Sequence, residues 1–463
     1  MAKRSQYPTP SELVEIITNQ DTATRPLRDR MDDDYKRFRL DEHAAEPGYR
    51  VYTSNAPRTF VQKITSWING ANLVIRIPIG ADWRQDREAS SLQERFLIGA
   101  FRTIDINLLN QGLVPLRDWL SFSTCVRGWW AGRVVLVKEP DGTTYIDVMP
   151  WDPMYTYWQY GNRGLDWACY VMKRSARDIL HQYDYNVQSA EGEDDLINVY
   201  DYYDRNVNYV AIDEAYIKKP KPHPLSGNRV PVFHGAVGGL PPIRSNTLQD
   251  TIKDYGESVY AANRDVWDRN NDAMSDMLTL VRRSVKHPFV IKSRDGTRVL
   301  DDDPFREGSQ IPLREGESLE PLNLLQMAPD TMAFLGLLSG EVQRGSLPHT
   351  VYGELQFQLS GFAINTLRQG VDSAVQPRLQ AVQNAYMQIA RLICEQYGTG
   401  AFAPMSFQGR SHNEWFDEEF KPDQLRGTRI EEIVLVANLP QDEMAKFSMA
   451  QMAREGKTPL LPD

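Results

Sequence analysis

The feature that most constrains this chain is a long stretch without a helix breaker. Thr247–Val285 contains no proline, and Gly256 is its only glycine. Apolar residues recur at steps of three and four through Leu248, Ile252, Tyr255, Val259, Val266, Ala273, Met277 and Val281, with Asn263 and Asn270 in the same register. That period predicts an amphipathic helix. Thirty-nine residues at 1.5 Å each would span about 58 Å, far more than an ordinary globular helix. His287-Pro288 stops it.

Two further helices follow a small insert. Residues 288 to 325 carry strand and turn signals: Pro288–Lys292, Asp295-Gly296, Arg298–Leu300, then Pro304, Pro312, Gly316 and Pro321. Pro329–Arg344 reads as a helix with proline in its first turn and a stripe of Phe334, Leu335, Leu338 and Val342. Gly345-Ser346-Leu347-Pro348 ends it. Leu355–Tyr397 is a third helical pattern, running through Leu359, Leu367, Val371, Leu379, Val382, Tyr386, Ile389 and Ile393 to Gly398–Gly400. Pro377 inside it predicts a kink near Ser373–Gln376, two separate helices being the alternative.

The rest is mixed. Residues 1 to about 50 read as a polar arm with a helix near Pro10–Thr18, capped by Ser11, that packs on a neighbouring copy or stays a loose tail. Residues 58 to 137 read as an α+β unit: a helix at Thr59–Asn69, a strand at Asn72–Pro78, helices at Ser91–Asn110 and Pro115–Arg127, then a hairpin of Gly132–Lys138 and Thr143–Val148 turning at Pro140-Asp141-Gly142. Residues 149 to 245 suggest a mixed sheet, 401 to 440 look extended, and Pro440–Arg454 is a last helix. The ending at Leu461-Pro462-Asp463 is abrupt enough to expect further chain beyond it.

Composition and motifs narrow the function. The net charge of −10 argues against a protein that coats DNA with a basic surface, though not against one that lets DNA slide past. Cys125, Cys169 and Cys394 are far apart and form no CxxC pair, so buried free thiols in a reducing compartment are expected. The N-terminus lacks the apolar core of a signal peptide, and no run is apolar enough to cross a bilayer. Gly456-Lys457-Thr458 is not a phosphate loop, because position 451 is Gln and a helix rather than a strand precedes it. No HxxxH, HExxH or GxSxG spacing occurs, and the acidic runs Asp32–Asp34 and Asp301–Asp303 point their carboxylates in different directions. The aromatic cluster Trp151–Tyr160 suits sheet packing or a subunit contact better than base stacking. No catalytic residue, cofactor or metal is expected.

A long helix, a small β insert, a shorter returning helix, a Gly/Pro loop and a very long kinked helix, in this order, resemble the portal proteins of tailed bacteriophages over most of the chain. Gly345 through Pro348, Tyr352-Gly353, Ser360-Gly361 and Val375-Gln376-Pro377-Arg378-Leu379 look like the tunnel-loop and long-helix region of that family. The resemblance implies an α+β subunit: an arm at 1–50, a wing at 51–246, stem helices at 247–285 and 329–344, and a clip at 286–328. A tunnel loop at 345–354, a long kinked helix at 355–400 and a wing end and crown at 401–463 complete it. It implies a homo-oligomeric ring, usually of twelve, at the capsid vertex of the virion, assembled in the host cytoplasm. Its implied partners are the terminase large subunit, the major capsid and scaffold proteins, a head–tail adaptor, and double-stranded DNA passing without sequence specificity; no membrane is involved. Arg294, Arg298, Asp301, Asp302, Asp303 and Arg306 would present the clip to motor and connector.

A helix of about 58 Å cannot bury its stripe against one returning helix of about 24 Å. Neighbouring copies in a closed ring would cover it. On the channel side, Glu341, Gln343, Arg344, Ser346, His349, Thr350 and Tyr352 would meet DNA. Arg344 is the foremost phosphate contact, or else serves the C-terminal end of its own helix. A different phage ring or adaptor component and a metal-dependent nuclease are the rival readings.

Overall fold

The computed structural model describes residues 7–43, 47–77, 83–187, 192–212, 214–238, 252, 254–285, 289–293, 296, 310–321, 329–347, 361–411, 414–427 and 432–436. The fold is α+β. The chain divides into two units, one of Met1–Tyr35, Val61–Val259 and Phe357–Asp463, the other of Lys36–Phe60 and Tyr260–Gln356.

Among its described residues the first unit holds two larger antiparallel sheets and two antiparallel strand pairs. In one, β2 (Trp129–Lys138) lies between β3 (Thr144–Trp151) and β9 (Val232–Ala236). The predicted hairpin is the β2–β3 pair, and Asp141 accepts from the Thr143 amide at 2.8 Å to set its turn. The other sheet runs β4 (Thr156–Gly161), β5 (Gly164–Ser175), β6 (Leu196–Asp204), β7 (Val207–Ile212), β8 (Ala215–Pro222) in sequence order, each strand joined to the next. The strand β1 (Asn72–Arg76) pairs with β14 (Glu432–Val436), and β12 (Met405–Ser411) with β13 (Glu414–Phe420). Arg133 on β2 reaches across to the second sheet: its guanidinium lies 2.9 Å from Asp147 and 2.8 Å from Asp201 on β6. Burial pushes the Asp201 carboxyl up and Arg133 pulls it back, so the group is held by its partner rather than by solvent.

Helices cover these sheets. The first, α1, spans Pro10–Arg39. The expected helix at Pro10–Thr18 is therefore only its start, and the cap is Thr9 rather than Ser11. The Thr9 hydroxyl accepts from the Glu12 amide, and the Glu12 carboxylate accepts from the Thr9 amide at 2.8 Å. The helix continues through Pro26 because its inner face is buried in its own unit: Leu13 and Ile17 pack among Tyr157, Tyr200, Tyr202 and Tyr209, and Leu27 and Met31 against Trp129. Next come α2 (Ala56–Asn69), α3 (Trp83–Asn110), α4 (Leu116–Val126) and the short α5 (Ala176–Tyr183). Pro115 opens α4 as predicted, and Asp105 accepts from the Leu116 amide at 2.9 Å.

The Leu355–Tyr397 pattern forms one helix over Gly361–Tyr397, here α8, and Pro377 stays inside it. Its buried face of Leu379, Val382, Tyr386, Ile389 and Ile393 matches the predicted stripe. Two glutamines dock it on the three-stranded sheet. Gln396 takes the Leu136 amide at 2.9 Å and gives to the Val134 carbonyl at 2.8 Å, while Gln388 takes the His234 amide at 2.9 Å.

The continuous helix expected over Thr247–Val285 does not form. Helix α6 begins at Arg264, and 254–263 is a series of turns. Gly256 adopts φ +79°, and a Cβ there would lie 2.2 Å from the Trp129 indole nitrogen. Four successive carbonyls of this turn each receive a donor from elsewhere in the first unit. The Trp129 indole N–H gives to Tyr255 at 2.9 Å, Arg30 to Gly256 at 2.5 Å, and Arg378 to Glu257 and Ser258 at 3.1 and 2.8 Å. The Ser258 hydroxyl gives to Asp34 at 2.7 Å. Gly128, at φ +73°, lets the turn lie against it, since a Cβ would sit 2.8 Å from the Ser258 amide nitrogen. A buried carbonyl without a donor costs about 1–3 kcal/mol. Arg378→Met orphans two, so it should lower the unfolding free energy of the full chain in urea by about 2–6 kcal/mol; an unchanged midpoint and slope would show that the clamp contributes nothing.

Candidate functional site

The second unit is built on α6 (Arg264–Val285) and α7 (Pro329–Arg344), with β10 (Phe289–Lys292) and β11 (Ser318–Pro321) paired antiparallel. The Pro329–Arg344 helix stands where it was predicted. The α6 face turned inward is not the expected apolar stripe. It is the row Asn263, Trp267, Asn271, Ser275, Thr279, each four residues from the last and each buried. Asn270, expected in the stripe, is only half-buried, and Val281 is 54% exposed.

This polar row has a partner that sequence periodicity does not reveal. The amides of Arg50, Tyr52 and Ser54 donate to the side-chain oxygens of Thr279, Ser275 and Asn271 at 2.7, 2.9 and 3.0 Å. The match is geometric. Alternate residues of an extended strap advance about 6.6 Å, and successive i+4 positions of a helix about 6.0 Å. The Ser275 and Thr279 hydroxyls, having accepted from the strap, donate to the carbonyls four residues back at 2.7 and 2.8 Å. His43 lies 2.7 Å from Asp272 on the same helix.

Asn263, just before α6, fixes the end of α7. Its amide donates to the Val342 carbonyl at 2.7 Å, and the Ser346 hydroxyl gives to the same oxygen at 2.5 Å. Gly345 allows the approach, since a Cβ there would meet the Asn263 side chain at 2.0 Å. The loop that leaves α7 thus starts from a defined point. Four predicted residues gather here: Glu341, Gln343, Arg344 and Ser346. Arg344 pairs with Glu341 at 2.5 Å in its own last turn, and both are exposed, at 79% and 52% of the side chain. Such a pair contributes under about 1 kcal/mol, so exchanging Glu341 for another anion costs little. His349, Thr350 and Tyr352 lie outside the described residues, as do Arg294, Arg298, Asp301, Asp302, Asp303, Arg306 and the predicted Pro440–Arg454 helix.

Burial pushes the thiols of Cys125 and Cys394 up to about 12 and that of Cys169 well above its ordinary value, so none is a thiolate near neutral pH. Among the described residues no group of three or more His, Cys, Asp or Glu is placed to hold a metal, and no helix is long and apolar enough to cross a membrane.

No protein-family model and no curated protein matches the chain. Among solved structures it is similar to a chain in the neck of the empty gene transfer agent particle computed with C6 symmetry, at 13% identity and TM-score 0.43. It is similar also to chains in the virion of the native gene transfer agent particle (13%, 0.42) and in the neck of the native particle computed with C12 symmetry (12%, 0.40). Each match covers 89% of this chain and 88% of the other. With TM-scores below 0.5 these likenesses identify no family.

The strap predicts a local effect. Replacing Asn271 by Leu should abolish amide-exchange protection at Ser54 while leaving Arg50 nearly as slow as before, and Thr279→Val should do the reverse. Unchanged protection at both amides in both variants would remove the strap from the folded state.

Proposed function

We propose that this chain is a subunit of a phage-type portal ring, a non-enzymatic channel at the capsid vertex through which double-stranded DNA is packaged and released. The observation that carries the reading is the uncovered apolar surface of α6 and α7. These helices, about 33 and 24 Å long, are paired in one unit, yet Leu278 on α6 and Phe334 and Leu337 on α7 are exposed, Leu337 at 70%. Among the described residues nothing stands within 4 Å of the Cβ positions of Gly336 and Gly340, so another backbone can approach there. A closed ring of heterologous contacts covers such faces on every copy without leaving an open end.

In this reading the second unit forms stem and clip, and the loop after Gly345 lines the channel. The Arg344–Glu341 pair stands at its root, where Arg344 can exchange its carboxylate for a passing phosphate. The clip docks the terminase large subunit and later the head–tail adaptor, and the first unit supplies wing and crown against capsid and scaffold proteins. The overall acidity suits DNA that moves through rather than binds.

Phe334→Glu with Leu337→Glu should convert rings to single copies with little change in thermal stability, read by native mass spectrometry. Deleting 346–352 should leave rings intact and reduce packaged DNA by tenfold or more. Full packaging without the loop, or magnesium-dependent DNA cleavage lost on single carboxylate changes, would contradict the proposal.

A further inference from the structure

The first unit contains a cleft of about 560 Å³ that the portal reading does not use. The β4–β5 turn supplies Arg163, the β6–β7 turn Arg205, the segment before β9 Arg229, and α8 Gln388 and Arg391. His234 on β9 also lines it. Four guanidiniums thus converge from four separate places in the chain, and among the described residues no lining side chain is a carboxylate.

Two of these guanidiniums are already paired. Asp166 holds Arg205 at 2.7 Å and Glu395 holds Arg229 at 3.3 Å, and neither carboxylate is part of the lining. Gln388 spends its oxygen on the His234 amide, which leaves its N–H₂ end to donate. The His234 ring packs against Trp129 and Trp158, with Tyr160 bonded to Nδ1 at 2.8 Å, and its buried Nε2 has no partner among the described residues. Burial pushes this imidazole down to about 3, so the positive charge of the cleft comes from arginine alone.

We propose that this cleft is a phosphoryl-binding site, taking a diphosphate or the successive phosphodiesters of a nucleic-acid strand on Arg163, Arg205, Arg229 and Arg391. A carboxylate brings one charge per side chain, whereas phosphoryl groups concentrate charge and offer several oxygens to planar guanidinium forks. The volume exceeds what a single small anion fills, being in the range of clefts that hold whole small ligands.

The test uses the full chain at low salt with two probes: inorganic pyrophosphate by titration calorimetry, and a fluorescein-labelled oligothymidylate by anisotropy. Arg163→Glu and Arg229→Glu, both on exposed turns, should each weaken binding about tenfold. Arg177→Glu, on α5 and away from the cleft, should have little effect. Unchanged melting temperatures establish that the variants fold. Pyrophosphate that binds and displaces the oligonucleotide supports a free diphosphate ligand; oligonucleotide binding alone supports a nucleic-acid strand. Binding of neither probe, or equal weakening by Arg177→Glu and the cleft variants, overturns the proposal.

Discussion

Four carbonyls in a row, from Tyr255 to Ser258, belong to no helix or strand, and the first unit is organised around giving them donors. An indole from β2, a guanidinium from α1 and a guanidinium from α8 converge on this one turn. These elements come from three distant parts of the sequence, so satisfying the turn ties the fold together. Glycine at 128 and at 256 is what allows the close approach, since a side chain at either position would collide with backbone or indole. The backbone requirement, more than apolar periodicity, decides where α6 can begin.

The second unit solves the same problem in another way. There the strap at 50–54 has no strand to pair with, and a helix face supplies Asn271, Ser275 and Thr279 as acceptors. A helix that turns a polar row inward cannot also bury its apolar residues against the same strap. Leu278 is left exposed, as are Phe334 and Leu337 on α7. The uncovered surface on which the functional proposal rests therefore follows from the chain's own polar packing.

Local signals are legible where neighbours in sequence decide the outcome. Pro115 and Pro329 mark helix starts, and Pro140-Asp141-Gly142 marks the β2–β3 turn. The apolar stripe of α8 beyond Pro377 was legible because it packs on the sheets with ordinary 3.6-residue periodicity. Long-range partners account for what was missed. Leu27 and Met31 carry α1 past Pro26 by packing on Trp129, and the 255–258 turn interrupts a helical pattern because Arg30, Trp129 and Arg378 reward the interruption. Within the candidate site, Arg344 and Ser346 could be named from the helix end alone, whereas Asn263 and the strap acceptors could not. A spacing of exposed-type residues at Asn271, Ser275 and Thr279 was the available signal, and it is visible only when polar residues are tested for periodicity as apolar ones are.

In the proposed function, closure into a ring joins these features. The apolar faces of α6 and α7 need cover, the chain offers none among its described residues, and repetition around an axis would supply it for every copy at once. Electron microscopy of the purified full-length chain tests this most directly. Closed rings with a central channel and a single rotational axis are predicted; particles of one copy in every buffer and at every concentration would contradict it.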